Sequence, residues 1–341
     1  MAAAAKTVQQ MSSNPQISAA VCTYNRYDLL EASLSGLRRQ TLPADSYQIL
    51  VIDNSPDSAR AHAYRQKYDG VDNIRYIHTP TPGLANARNV AARECRSAFI
   101  AYIDDDAVAE SDWLQNLLAA FAKFGDKAGG AGGPVLPVWE EPQPSWLAGQ
   151  LLDCLSVIDW GGRLRIAAEN EWAAGANMAF RTKALIDAGG FPVGLGRNGA
   201  GEALLSNEEL VLQSKLRAGG YDMIWAPAAK VRHLIGKERL QQGWLRRRLA
   251  WQAVSDLLAG KGGEKSELPA HWQRLVDFMN ALPPRLRTPR GLFAEMKAPE
   301  DFASQAYATY TLTMLLLLGH HIPEEGPGAN DARDLRPPRP L

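Results

Sequence analysis

Cysteine is scarce in this chain: three in 341 residues, at Cys22, Cys95 and Cys154, with no CxxC pair. An odd, widely spaced set excludes a disulfide scaffold and a cysteine-built structural zinc site, and it predicts a reducing compartment. Neither sign of charge is in excess, because 37 Lys and Arg face 37 Asp and Glu. A nucleic-acid partner, which normally draws a basic surplus, is therefore not expected. The first residues, MAAAAKTVQQMSSNPQ, contain no apolar run of signal-peptide length. The longest apolar run, Leu312 to Leu318, is broken by Thr313 and falls far short of the roughly 20 residues that span a bilayer. No internal repeat is present. These absences predict a soluble cytoplasmic protein, or one peripheral on the inner face of a membrane.

With 46% hydrophobic and 22% charged residues, the composition is that of a globular chain able to build a sizeable core. The first 16 residues and the tail 326–341, which ends PPRPL, are expected to be disordered. Between them the pattern begins as alternating strand and helix. Ile17 to Asn25, Tyr47 to Ser55, Asn73 to Thr79 and Ala98 to Asp106 predict strands; Asp28 to Gln40, Ser58 to Tyr68 and Gly83 to Cys95 predict helices. This order predicts an α/β fold with a parallel sheet and helices on both faces. Ligands in such sheets bind beyond the carboxyl ends of the strands, which here carry Thr23-Tyr24-Asn25, Asp53-Asn54 and Asp104-Asp105-Asp106. From Lys127 to Trp160 the sequence predicts loops around one short strand. Trp172 to Phe180 and Tyr221 to Val231 predict further strands, with a helix over Asn207 to Ala218 between them.

Three adjacent carboxylates at a strand end repel one another, a cost that a bound cation removes. A hard divalent ion such as Mg²⁺ or Mn²⁺ takes carboxylate oxygens together with substrate phosphates. Side chains alternate along a strand, so Asp104 and Asp106 share a face while Asp105 points elsewhere. The bland alternative is a solvated acidic turn before the helix at Trp113. The segment PGLANARN, Pro82 to Asn89, enters a helix at Gly83 and puts Arg88 one turn inside, within reach of a phosphate. An ordinary capped helix with a surface arginine is the competing reading.

Together, VCTYNRYDLLEASLSGLRRQ, ILVIDNSPD, PGLANARNVA and AFIAYIDDDAV resemble the donor half of glycosyltransferase family 2, whose members have the GT-A fold. The resemblance runs from about Ile17 to His233. It implies a Rossmann-like nucleotide-sugar-binding sheet and an inverting transfer from a nucleoside-diphosphate sugar to an acceptor hydroxyl, with Mn²⁺ or Mg²⁺ as cofactor. It places Thr23, Tyr24, Asn25, Asp53, Gly83, Arg88, Asp104 and Asp105 on the donor, and Asp106 with His233 on the metal. WAAGANMAFRTKALIDAGGF is similar to the acceptor-side strand and helix, which assigns Trp172, Gly175, Ala176 and Asn177 to the acceptor. LLSNEELVLQSKLRAGGYDMIWAPAAKVRH resembles the segment that carries an acidic pair, a Gly-Tyr and a final histidine. Glu208 and Glu209 fall on that pair and are the implied catalytic residues; Glu209 stands where the family more often has Asp and is implied as the base, with Glu208 the alternative.

Expected boundaries are a catalytic domain over 17–238 (donor half 17–110, acceptor half 111–238) and a mainly helical C-terminal region over 239–325. The acceptor is expected to be a saccharide, a lipid-linked saccharide or another hydroxyl compound. Two readings stand for 240–260, where Arg246, Arg247 and Arg248 lie beside Trp244, Leu245, Leu249 and Trp251: a helix on an anionic membrane surface, or one packed on the catalytic domain. Gly194 to Gly199 satisfies GxGxxG but follows a turn rather than a strand, so it does not predict a dinucleotide site. A nucleotidyltransferase would need a Gly-rich loop where Thr23-Tyr24-Asn25-Arg26 stands, and a non-catalytic binding module would not need Asp104, Asp106 and Glu209 together.

Overall fold

The structure is a computed structural model that describes residues 15–71, 73–199 and 203–319. The expected N-terminal disorder lies outside those residues except for Pro15 and Gln16. So does the tail, together with residues 320–325 of the expected helical region.

The first four strands are β1 (Ile17–Thr23), β2 (Tyr47–Asp53), β3 (Ile74–His78) and β4 (Phe99–Asp104), linked by α1 (Tyr27–Arg38), α2 (Ser58–Arg65) and α3 (Leu84–Glu94). Ile17, Ala19, Ala20, Val21, Ile49, Leu50, Val51 and Ile52 are all buried, as expected for central parallel strands covered on both faces. α1 turns Leu30, Leu34 and Leu37 onto one face of this sheet, while α3 lays Ala85, Ala91 and Ala92 against the other. Asp57 starts α2 by accepting hydrogen bonds from the Ala59 and Arg60 amides at 3.1 and 3.0 Å.

The sheet continues through β6 (Ala128–Gly132), β8 (Arg165–Ile166), β9 (Met178–Arg181) and β10 (Asp222–Trp225), in the order β3-β2-β1-β4-β9-β6-β10-β8. β1 to β4 are mutually parallel and β9 runs antiparallel to β4. Chain order reverses across β1 and β4, so a crevice opens at their carboxyl ends. The register sets Thr23 opposite Asp53 and Cys22 opposite Asp104. The expected polar clusters thus meet at one edge.

Downstream the structure departs from the expectation. The stretch read as loops around one short strand holds two strands in two different sheets, β6 and β7 (Val135–Trp139). β7 joins β5 (Ala107–Ala109) and β11 (Val231–Ile235) in a small second sheet of order β5-β11-β7. The single strand expected over 221–231 is two, separated by a turn that the Ala229 amide closes on the Ala226 carbonyl at 3.0 Å. The strand expected from Trp172 begins only at Met178. Gly133 lies between these sheets where a Cβ would sit 2.1 Å from the Ala229 carbonyl oxygen, so no larger residue fits.

α4 (Trp113–Phe124), α5 (Thr182–Asp187) and α6 (Glu208–Ala218) complete the α/β part; α7 (Gln242–Leu258), α8 (Leu268–Ala281) and α9 (Pro299–Gly319) form the helical remainder. The latter close on the short 3₁₀ helix 149–155, where Leu147, Leu151 and Leu155 share a core with Ile235, Leu245, Leu249 and Phe302. Of the two readings of 240–260, the structure shows the packed helix. Leu245, Leu249 and Trp251 are buried, and Arg246 is held inside by Gln305 Oε1 at 2.8 Å. Among the described residues no helix is long and apolar enough to cross a membrane.

Candidate functional site

A cavity of about 540 Å³ opens at the carboxyl ends of β1 and β4. Its floor is the strand-end loop Thr23 to Arg26 together with Asp104, Asp105 and Asp106. Gly175, Glu208, Glu209 and His233 line it as well, together with Leu155 and with Trp244 and Arg248 of α7.

Asp104, Asp106 and His233 bring one ligand atom each to within 4.8 Å of one another. Local order explains the two aspartates, and the small sheet explains the histidine: β11 pairs antiparallel with β5, setting His233 opposite Ala107, next to Asp106. His233 Nε2 lies 3.2 Å from Asp106 Oδ1, and His233 Nδ1 is buried without a partner among the described residues. Two carboxylate oxygens and an imidazole nitrogen suit a divalent cation that accepts nitrogen as well as oxygen, so the residues present fit a metal of this kind. Burial pushes the Asp106 carboxyl upward, but the His233 hydrogen bond and the nearby Arg26 and Arg239 outweigh it and hold the group well below the usual carboxylate range.

Asp105 does not point away from the site. It accepts from Thr23 Oγ1 at 2.8 Å and pairs with Arg26 at 2.9 Å, while the other guanidinium nitrogen of Arg26 reaches Asp106 at 2.7 Å. Burial lifts the Asp105 carboxyl to about 7 against the pull of Arg26. Arg26 follows directly on Thr23-Tyr24-Asn25, and its place in that loop is the only local signal that it belongs to the site.

Arg88 is buried on α3 and clamps two carboxylates, Glu208 Oε1 at 2.7 Å and Asp104 Oδ1 at 3.1 Å. Both terminal nitrogens are engaged, so it links the Asp104 end of the cavity to the start of α6. Gly175 makes room: a Cβ there would lie 2.5 Å from Arg88 Nη2. Beside this pair Glu209 lines the cavity with its Oε2 buried and partnerless among the described residues. Burial, and next the Glu208 carboxylate, push the Glu209 carboxyl up to about 8. A carboxyl so poised is suited to accepting a proton near neutral pH.

The chain is similar to known proteins along most of its length. The family model "Glycosyl transferase family 2" matches residues 18–135. Over those residues the chain is similar to glycosyltransferase family 2. It is 25% identical over 244 residues to the glucosyl-dolichyl phosphate glucuronosyltransferase of Haloferax volcanii, covering 70% of this chain and 76% of that one. It is 28% identical over 248 residues to the succinoglycan biosynthesis protein ExoM of Rhizobium meliloti, covering 71% and 74%. Among solved structures, the mannosyltransferase PcManGT from Pyrobaculum calidifontis, in complex with GDP-Man and Mn²⁺, superposes with a TM-score of 0.53 over 91% of this chain and 77% of that one, at 18% identity. The fold is GT-A, and the matches support a glycosyltransferase enzyme.

Other expected residues of the glycosyltransferase sit less simply. Tyr24 and Asn25 line the cavity, as does Asn54. Asp53 is fully buried behind them, accepting from the Tyr27 hydroxyl at 2.9 Å, from Tyr76, and from both the amide and the hydroxyl of Ser55. Gly83 is at the start of α3 with φ +112° and receives Asn54 Nδ2 on its carbonyl at 3.2 Å. Of the four acceptor-side residues only Gly175 reaches the cavity. Trp172 packs on Trp160, and Ala176 is buried.

Asn177 is likewise fully buried. Its Oδ1 accepts from Trp113 Nε1 at 2.8 Å, and its Nδ2 donates to the Pro134 and Ala229 carbonyls at 3.0 and 2.7 Å. It ties β9 to α4 and to the junction of the two sheets. Asn177→Ala is therefore expected to act on stability, at about 2–4 kcal/mol, because it strands buried donors and acceptors. Chemical denaturation at constant m-value checks this.

The sequence reading missed Arg197, Arg239, Arg248 and Ser156, all of which line the cavity. Single residues on separate loops and helices leave no pattern by which to find them.

Proposed function

We propose that this glycosyltransferase is inverting and metal-dependent, moving a sugar from a nucleoside-diphosphate sugar to an acceptor hydroxyl. One observation carries the reading: a single cavity has a carboxylate–imidazole cluster on its floor and, in its wall, a carboxyl with a partnerless oxygen and a raised pKa. The cluster's Asp104, Asp106 and His233 would hold Mn²⁺ or Mg²⁺, which supplies positive charge for the diphosphate. Thr23, Tyr24, Asn25, Asn54 and Asp105 would border the nucleotide and ribose, with Asp53 bracing that loop from behind. Glu209 takes the proton of the acceptor hydroxyl as its oxygen bonds to the anomeric carbon. The bond from that carbon to the diphosphate oxygen breaks, and its electron pair leaves with the nucleoside diphosphate. Arg88 positions Asp104 and Glu208, thereby setting the start of α6 from which Glu209 projects.

Residues 17–238 would be the catalytic domain and 239–319 a helical region completing its acceptor side. The likeness to a relative named for a glucosyl-dolichyl phosphate substrate supports a saccharide or lipid-linked acceptor. Three free cysteines suit a cytoplasmic setting.

A thermal-shift panel of nucleoside diphosphates and their sugars, with and without Mn²⁺ or Mg²⁺, tests the reading. The expected result is a rise of several degrees with one nucleotide, only when metal is present. No shift with any combination would require the mechanism to be withdrawn.

A further inference from the structure

The residue that starts α6 is held from outside its own helix. Asn207 is buried with φ at +77°, in the left-handed region that glycine favours. Asparagine at a helix start normally turns its side chain onto the amides of its own first turn. Among the described residues Asn207 makes no such bond. Its side chain points to α7 instead: Nδ2 donates to Asp256 Oδ1 at 2.8 Å, and Oδ1 accepts from Gln252 Nε2 at 2.9 Å. Gln252 Nε2 also donates to Asp256 Oδ1 at 2.9 Å, which closes a ring of three side chains. The second Asp256 oxygen accepts from the Tyr310 hydroxyl of α9 at 2.8 Å. Burial, and next the Asp256 carboxylate, raise the pKa of Tyr310 and keep it a donor.

The residues on either side of Asn207 are tied as well. Ser206 donates from its amide to Ser255 Oγ at 3.1 Å and from its hydroxyl to Gln252 Oε1 at 3.1 Å, both on α7. Glu208 accepts from Arg88 of α3 at 2.7 Å. The start of α6 is thus strung between α7 and α3, and Glu209 is the next residue along. A side chain in the left-handed region persists only where its surroundings over-determine it. Here the bonds that do so come from the C-terminal helices. α7 does not need this ring in order to dock, because Leu245 and Leu249 are already buried in the core shared with residues 149–155.

We propose that Asp256 is a positioning residue, which through Asn207 fixes the first turn of α6 and so sets Glu209 against the acceptor. The C-terminal helices then take part in the reacting geometry. A displacement of about 1 Å at a reacting group can cost about 10²-fold in rate. The tie needs an acceptor at position 256 more than a charge, since Asn207, Gln252 and Tyr310 are all neutral donors. That the tie serves Glu209 rests on the transferase reading; that it fixes the start of α6 does not.

Amide hydrogen exchange and turnover are measured on the full chain and on Asp256→Ala, Asp256→Asn, Asn207→Gly and the double variant of Asp256→Ala with Asn207→Gly. Turnover is the release of nucleoside diphosphate from GDP-mannose, UDP-glucose or UDP-N-acetylglucosamine with Mn²⁺, water serving as the acceptor. Asp256→Ala is expected to speed exchange over residues 206–211 about tenfold. It should lower kcat about tenfold while affinity for the nucleoside diphosphate changes less than about twofold. Asp256→Asn still offers an oxygen to Asn207 and should restore both. Asn207→Gly keeps the left-handed turn but loses the tie, so it should resemble Asp256→Ala, and the double variant should be no slower than either. Faster exchange with unchanged kcat in Asp256→Ala overturns the positioning role. So do unchanged exchange, losses that multiply in the double variant, and a fall in nucleotide affinity equal to the fall in kcat, which marks general loosening. If the wild type neither binds nor turns over any of these nucleotide sugars, the transferase reading fails, and exchange alone decides whether Asp256 fixes the start of α6.

Discussion

Glu209→Gln is expected to lower sugar transfer by about 10²–10⁴-fold while leaving metal-dependent nucleotide affinity nearly unchanged, since a general base contributes about that much. The carboxamide keeps the size of the side chain and removes the proton acceptor. Among the described residues Glu209 forms no salt bridge and its Oε2 has no hydrogen-bond partner, so the substitution breaks no ion pair. Turnover and nucleotide titration on the same preparation check the result; near-full activity would remove the base assignment. The wild-type pH profile should agree. Glu209 works deprotonated and its carboxyl stands near 8 instead of its ordinary 4.5. Activity of the free enzyme is therefore lost as pH falls through about 8, roughly tenfold per unit below it. Stability runs the other way. The folded state holds a proton that the unfolded state has released, so Glu209 favours folding fully below about 4.5, and that contribution is lost as pH rises through about 8. The melting temperature of Glu209→Gln relative to wild type should accordingly increase between pH 5 and pH 9.

Asp106→Ala should be the most damaging single change, with activity reduced by about 10³-fold or more and the metal-dependent thermal shift abolished. Asp106 is the one carboxylate of the site approached at once by Arg26, His233 and Arg239. Its removal takes away a metal ligand and also strands buried positive charge, a loss of about 3 kcal/mol. Asp106→Asn separates the two effects. It keeps the shape and some hydrogen bonding, and should regain part of the stability without regaining metal-dependent nucleotide binding. If either variant still showed a nucleotide shift that needed metal, Asp106 would not be a ligand.

Local order made half of this site legible. Thr23, Asp104, Asp105 and Asp106 announce themselves because a parallel strand buried on both faces reads as a continuous apolar run, and polar residues at its end must face a ligand or water. Asp53 was legible as a strand-end acid but not as a satisfied one, since the tyrosine hydroxyls that occupy it come from α1 and β3. Asn177 looked like an acceptor residue for the opposite reason: a polar side chain in a Gly- and Ala-rich turn gives no sign that two carbonyls and an indole converge on it.

The C-terminal half was read least well, and α7 shows why. Its Arg246, Arg247 and Arg248 are adjacent in sequence and have three different fates: buried on Gln305, exposed, and turned into the cavity. Helical periodicity distributes them over different faces, but which face meets which neighbour depends on packing around residues 149–155.

What the sequence determined by itself is the resemblance to a family, the parallel sheet and the acidic strand end, because these follow from contacts between near neighbours in a repeating pattern. Tertiary structure decided the rest: that β11 returns beside β5 to set His233 on Asp106, that Arg88 joins Asp104 to Glu208, and that arginines from three separate segments share one cavity. Each of these joins residues far apart in the chain, whose meeting is fixed by strand pairing and core packing and leaves no local trace.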